Sequence, residues 1–194
     1  MHKKSKISNF KESSTSMNAI VEQKNKNELS THNHSDRSAR SSDVLLQLVT
    51  FNLVGEEFGL PILDVREIIR MVEVTPVPHS PSFVEGVINL RGQILPVIDL
   101  RKRFNLESSE ANDDTRIVVV EINNNLIGLI VDGVNEVLRI PEETVNAAPQ
   151  IVSSGIGAEY IQGIAHYDEK MIILVDLLKV FSNDEMENLS SLEH

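Results

Sequence analysis

From Leu45 onward the chain alternates short runs of β-branched and other apolar residues with glycine, proline and asparagine. Leu45–Leu53, Phe58–Ile62, Gly86–Leu90, Ile94–Ile98, Ile117–Ile122, Leu126–Val131 and Met171–Val175 are five to nine residues long. Those are strand lengths, and the punctuation between them is that of turns, so the pattern predicts a mainly β domain with few helices. Two short helical patterns, Leu100–Phe104 and Leu177–Phe181, follow apolar runs. Residues 1–42 are rich in Ser, Asn and Lys and have no apolar periodicity. Such a segment cannot bury enough surface to order itself and is expected to be a disordered tail. The ordered domain is expected at 43–183, and 184–194 as a C-terminal tail whose Leu192-Glu193-His194 resembles the junction of an expression tag.

The domain contains an internal repeat. A shift of 69 residues lays Leu48–Leu53 on Ile117–Ile122, Phe58-Gly59-Leu60 on Ile127-Gly128-Leu129, Val65 on Val134, Glu67 on Glu136 and Arg70 on Arg139. A shift of 77 lays Gly86-Val87 on Gly163-Ile164 and Pro96–Leu100 on Ile173–Leu177, implying an eight-residue insertion near Ser153–Ala158. Each half is too short for an open sheet covered on both faces, and closure removes exposed strand edges. The expected architecture is therefore two small closed β-barrels in tandem, packed on each other, one lobe at about 44–110 and the other at about 114–183, with a groove between them.

Composition narrows the function. The chain has no cysteine, which removes disulfides, thiolate metal sites and cysteine nucleophiles. No apolar stretch reads as a secretory signal or a membrane span, so a cytoplasmic location is expected. The net charge of -11 divides unevenly: residues 1–42 hold eight Lys and Arg against four acids, and the rest hold ten against 25, a balance of -15. So acidic a body repels phosphate backbones, and Arg101-Lys102-Arg103 reads as a solvated helix surface, not a nucleic-acid stripe.

A residue kept in both halves serves the fold, whereas one present in a single half is free to serve a partner. Asp99 and Asp176 recur, each before a short helical pattern, and read as helix caps, not an acid/base pair. Gly55-Glu56 and Asn123–Asn125 read as hairpin turns. Ser153–Gly157 lacks the ending of a phosphate loop, and His32, His34, His79 and His166 have no companions at ligand or triad spacing. No metal or cofactor is expected. Arg91 differs: its turn, Asn89–Gly92, corresponds to His166–Glu169, so the halves disagree at an exposed loop. A solvated turn arginine is the simpler reading, yet its planar fork of donors also suits a partner's carboxylate.

The segment Glu85-Gly86-Val87-Ile88-Asn89-Leu90-Arg91-Gly92-Gln93-Ile94-Leu95-Pro96-Val97-Ile98-Asp99-Leu100 resembles the signature of CheW-type chemotaxis coupling proteins. Phe58–Ile68, Ile127–Val134, Tyr160–Gly163 and Met171–Leu177 extend the resemblance to about residues 44–182. It implies a pair of five-stranded SH3-like barrels that bind the cytoplasmic tip of methyl-accepting chemoreceptors and the regulatory domain of the histidine kinase CheA, performing no chemistry. By motif position, Val65, Glu67, Gly86 and Arg91 would form or shape the receptor-binding region, and Gly128, Val131, Asp132 and Gly133 the kinase-facing side. The basic tail is outside the family pattern. Competing readings are the coupling domain of a longer CheV-type protein with a receiver, a CheA regulatory domain, and an enzyme on a β scaffold, for which no convergent catalytic group stands out.

Overall fold

A computed structural model describes residues 44–148 and 158–190. The tail expected at 1–42, most of the insertion expected near Ser153–Ala158, and the tag-like Leu192–His194 lie outside those residues. In chain order the elements are β1 (Leu45–Leu53), β2 (Glu56–Pro61), β3 (Val65–Arg70), β4 (Val84–Leu90), β5 (Gln93–Asp99), α1 (Leu100–Arg103), β6 (Arg116–Ile122), β7 (Asn125–Val131), β8 (Gly133–Pro141), β9 (Val145–Asn146), β10 (Ile161–Tyr167), β11 (Lys170–Val175), α2 (Leu177–Val180) and α3 (Asn183–Ser190).

The fold is mainly β, in two sheets ordered β8-β1-β2-β11-β10-β9 and β3-β6-β7-β5-β4. Each sheet closes through one stretch of chain. β8 runs through a 3-10 turn, Glu142–Thr144, into β9, which pairs with β10 at the far edge. β3 runs on to Thr75, which bridges Val87 of β4 at the far edge of the other sheet. Closure leaves few free edge groups, as the short alternating strands require.

The sheets do not follow the contiguous lobes expected at 44–110 and 114–183. The hairpin β1–β2 from the first half sits among β8 to β11, held by β1 against β8 and by β2 parallel to β11. Reciprocally, β6–β7 from the second half sits among β3 to β5, held by β6 against β3 and β7 parallel to β5. The halves thus exchange their first hairpins. An internal repeat defines equivalent strands but is silent on which copy each one pairs with, which is why the exchange was not legible.

Burial explains why the exchange is stable. Ile117, Val118, Val119 and Val120 of β6 are all fully buried, so the middle of this strand has no solvent face. Ile117 and Val119 pack with Ile88, Leu95 and Val97 inside the five-stranded sheet. Val118 and Val120 face the other way, into a cluster joining Phe51, Phe58 and Leu60 of one sheet to Ile98, Ile127 and Leu129 of the other. Leu48, Ile140, Ala165, Ile172 and Leu174 fill the six-stranded sheet. The inter-sheet space where a groove was expected is therefore mostly core. At its margin Phe58, Phe104 and Tyr160 continue the packing as a file of rings, 6.0 and 5.4 Å between centroids, beside an apolar pocket of about 120 Å³.

Two further expectations change. β3, β8, β9 and β10 are strands that the apolar pattern did not predict. In β3 half-buried positions alternate with the exposed Arg66, Ile68 and Arg70, too polar a pattern for an apolar run to mark. And residues 184–190, assigned to a tail, belong to α3, whose Met186 and Leu189 are buried in the central cluster. Its start is a reciprocal cap: the Glu185 N–H donates to Ser182 Oγ at 3.2 Å, and the Ser182 N–H donates to Glu185 Oε2 at 2.8 Å.

Candidate functional site

Four hairpins turn on residue pairs with positive φ: Val54-Gly55, Arg91-Gly92, Asn123-Asn124 and Asp168-Glu169. Two-residue loops of this hand match the twist of the flanking strands. The first turn is thus one residue earlier than Gly55-Glu56. Asp99 and Asp176 are helix caps as read: Asp99 Oδ1 accepts from the N–H groups of Arg101 at 2.8 Å and Lys102 at 3.3 Å, and Asp176 Oδ1 from that of Leu178 at 3.1 Å.

The β4–β5 turn brings Arg91 to Glu67. With φ of 53° at Arg91 and 91° at Gly92, and the Gly92 N–H donating to Asn89 Oδ1 at 2.8 Å, the turn carries the arginine over β3. There Arg91 Nη2 donates to Glu67 Oε2 at 2.8 Å. The arginine side chain is 80 % exposed and the glutamate 26 %, so the pair is anchored on the glutamate side and open on the other. Val65, two residues before Glu67, is half-buried against the central cluster. Gly86 is buried and cannot touch a partner. It has φ of 148°, and a Cβ there would lie 2.1 Å from the Thr75 carbonyl oxygen, so glycine is what permits the Thr75–Val87 bridge that closes the sheet.

The second half holds an equivalent pair that the sequence comparison missed. Lys170 Nζ donates to Glu136 Oε1 at 2.9 Å, and Glu136 is the repeat partner of Glu67. The cation has moved two positions along the hairpin, so a comparison of turn residues alone finds disagreement. The carboxylates of Glu136 and Glu57 raise the pKa of Lys170.

The residues assigned to the other side separate. Gly128 and Val131 are buried in β7, and a Cβ on Gly128 would lie 2.8 Å from Ile117 Cγ2. Gly133 is half-buried at the start of β8, with room for a Cβ. Asp132 is engaged internally: Arg101 donates to it twice, Nε to Oδ1 and Nη2 to Oδ2, both at 2.5 Å, and the Val54 N–H donates to Oδ2 at 2.8 Å. The hydrogen bond with Asp132, before any other influence, raises the pKa of Arg101 against the opposing effect of burial.

The basic run is not a solvated surface. Arg101 and Arg103 side chains are 16 % and 13 % exposed. Arg103 Nη1 and Nη2 each reach a carboxylate oxygen of Glu185 at 3.0 Å, Nε donates to the Val180 carbonyl at 2.6 Å, and the guanidinium lies 4.4 Å from the centre of the Phe83 ring. Lys102 pairs with Glu85. All three are committed within the fold, leaving no basic stripe for nucleic acid among the described residues. Their signal in the sequence was the acidic positions they serve, which lie 17 to 82 residues away. His79 and His166 are exposed. Among the described residues no cluster of three or more His, Cys, Asp or Glu is arranged to hold a metal.

Two closed sheets with exchanged hairpins, an exposed cation–glutamate pair on each and a core running through their seam describe a small two-barrel protein. A family model for the CheW-like domain matches residues 47–185. The chemotaxis protein CheW of Treponema pallidum is 37 % identical over 155 residues, 78 % of this chain and 91 % of that protein. That of Klebsiella aerogenes is 37 % identical over 140 residues, covering 72 % and 84 %. The crystal structure of the scaffolding protein TtCheW from Thermoanaerobacter tengcongensis superposes with a TM-score of 0.68 at 42 % identity, over 73 % of this chain and 96 % of that one. The chain belongs to the CheW-like family, and it is a coupling adaptor of chemotaxis.

Proposed function

We propose that this adaptor joins the cytoplasmic tip of methyl-accepting chemoreceptors to the regulatory domain of the histidine kinase CheA, and that it catalyses no reaction. The observation that carries the reading is the Arg91–Glu67 pair, an 80 % exposed guanidinium held over a strand by one carboxylate. A receptor carboxylate can take the free donors of Arg91 without Glu67 letting go, because the guanidinium has five N–H groups in a planar fork. Val65 and Gly86 shape this surface, and Glu67 and Arg91 touch the receptor. For the kinase-facing side, Gly133 is the residue of the four placed to make contact, whereas Gly128, Val131 and Asp132 set its shape. Coupling is then geometric: a receptor rearrangement alters how the kinase domain is held, and a bias of a few kcal/mol between two arrangements switches its output. The adaptor works from the cytoplasm, recruited to receptor arrays by these contacts; no helix among the described residues is long and apolar enough to cross a membrane.

The test is an NMR titration of isotope-labelled chain with the regulatory domain of a cognate CheA, and separately with a receptor-tip fragment. Saturable shifts on two distinct faces support the adaptor; absence of shifts with both partners at millimolar concentration removes it.

A further inference from the structure

The two repeat shifts that relate the halves also relate two surface clefts, of about 480 and 440 Å³. Both are floored by the cap aspartate of a short helix, Asp99 in one and Asp176 in the other. Glu85, Arg101 and Lys102 of the first correspond, 77 residues on, to Gln162 and Leu178, which line the second, and to Lys179, next to Leu178 in the chain; Asp132 corresponds, 69 residues back, to Leu63, next to the lining residue Asp64. The first cleft is lined by two ion pairs, Arg101 to Asp132 and Lys102 to Glu85. In the second none of these pairs has an equivalent. Lys179 turns back to Asp176 at 3.0 Å, and Leu178 and Leu63 are 66 % and 83 % exposed, the two most exposed large apolar side chains among the described residues.

Leu178 in the lining and Leu63, next to Asp64 in the chain, offer apolar surface that a partner can bury, at positions where the first half has Arg101 and Asp132. Beside it stands Asp64, a lining residue of the same cleft with no hydrogen-bonded partner among the described residues. Burial raises its pKa, and Arg66, which lowers it less, is already bonded to Glu121 at 2.5 Å. A cation supplied from outside would satisfy that carboxylate.

We propose that this cleft is a docking surface for a protein segment that presents aliphatic side chains beside a single arginine or lysine, seating them on Leu63 and Leu178 and pairing the cation with Asp64. The surface is separate from the Arg91–Glu67 pair, and the inference goes beyond coupling of receptor and kinase. A second copy of the chain is the poorer occupant, because residues 43–194 carry a balance of -15 and would repel their like.

The probe is a synthetic amphipathic helix of roughly 18 residues with leucines at i and i+4 and one arginine between them, titrated into the isotope-labelled full chain. The expected result is saturable amide shifts confined to 62–64, 121–123 and 176–178. Asp64→Asn should weaken binding about threefold, and a Leu63→Asp, Leu178→Arg double variant, which rebuilds the clasp of the first cleft, about tenfold or more. Both altered leucines are exposed, and the spectrum of the variant checks that it folds. The double variant should bind a receptor-tip fragment as the parent does. Shifts scattered over the acidic body, undiminished binding by the double variant, or no binding of the helix overturn the proposal. So does concentration-dependent dimerisation of the parent that the double variant abolishes, since the cleft would then be self-occupied.

Discussion

Arg101 and Asp132 grip each other through two parallel hydrogen bonds of 2.5 Å, joining the helix after β5 to the junction of β7 and β8. The same carboxylate accepts the Val54 N–H, so three segments distant in the chain meet on one side chain. Asp132→Ala leaves a largely buried guanidinium and a backbone N–H without their acceptor. The expected loss is about 2 to 3 kcal/mol in urea unfolding, and Arg101→Ala combined with it should add well under 1 kcal/mol, the signature of a shared interaction.

Val54 has φ of 53°, a left-handed conformation that a β-branched residue adopts only under constraint. Its side chain is 43 % exposed, so little packing is at stake. Val54→Asn should stabilise the protein by about 1 kcal/mol, read as a higher midpoint of thermal unfolding. In an Asp132→Ala background the same substitution should gain at least as much, because the N–H bond that holds the strained turn is already gone.

Gly86 and Gly163 are repeat partners with unequal demands. At Gly86 a methyl group meets backbone oxygen at 2.1 Å, and φ is 148°; at Gly163 the approach to the Asn146 carbonyl is 2.8 Å. Gly86→Ala should therefore cost more than about 3 kcal/mol and open the Thr75–Val87 bridge, with Gly163→Ala costing less. Amide exchange at Thr75 and Val87 separates a local opening from general destabilisation.

Arg91→Asp removes an exposed ion pair, and such pairs contribute about 0 to 1 kcal/mol, so thermal stability should be nearly unchanged. Receptor-fragment affinity should fall at least tenfold by calorimetry. Unchanged affinity with an intact fold excludes Arg91 from the receptor surface.

Glu185 predicts a pH dependence. Burial raises its pKa, but the bonds from Ser182 and the charge of Arg103 together lower it further, leaving it below its ordinary value of 4.5. A carboxylate with a lowered folded pKa contributes stability above its unfolded value, and that contribution is lost as pH falls through the folded value. Glu185→Gln should be less stable than the parent at pH 7, and the gap should close below about pH 4.5 in a series of urea titrations.

Much of this architecture is written in local pattern. Runs such as Ile117–Ile122 and Met171–Val175 mark their strands because burial makes them almost wholly apolar, and Asp99 and Asp176 announce caps because capping is satisfied within three residues. Of the candidate residues, Glu67 and Arg91, which the resemblance grouped, do meet across 24 positions. What escaped was partner choice at long range. Nothing beside Arg103 in the chain points to Glu185, and nothing in Asp132 says that its oxygens are already engaged. Strands such as β3 escaped for a related reason: their exposed residues answer to solvent and partners, so they leave no apolar signature.

The exchange of hairpins makes each barrel a shared product of both halves of the gene. Cutting the chain between Phe104 and Thr115 would yield two fragments, each lacking the strands its own sheet needs and each carrying those the other needs. They should be unstructured alone and fold only on mixing, by complementation. In the intact chain the same reciprocity forces long-range pairing before either barrel can close, so folding is expected to be slow and all-or-none. Two partners gripping the protein at different faces would then be held by one cooperative body, so that a strain applied at one face is felt by strands of both barrels.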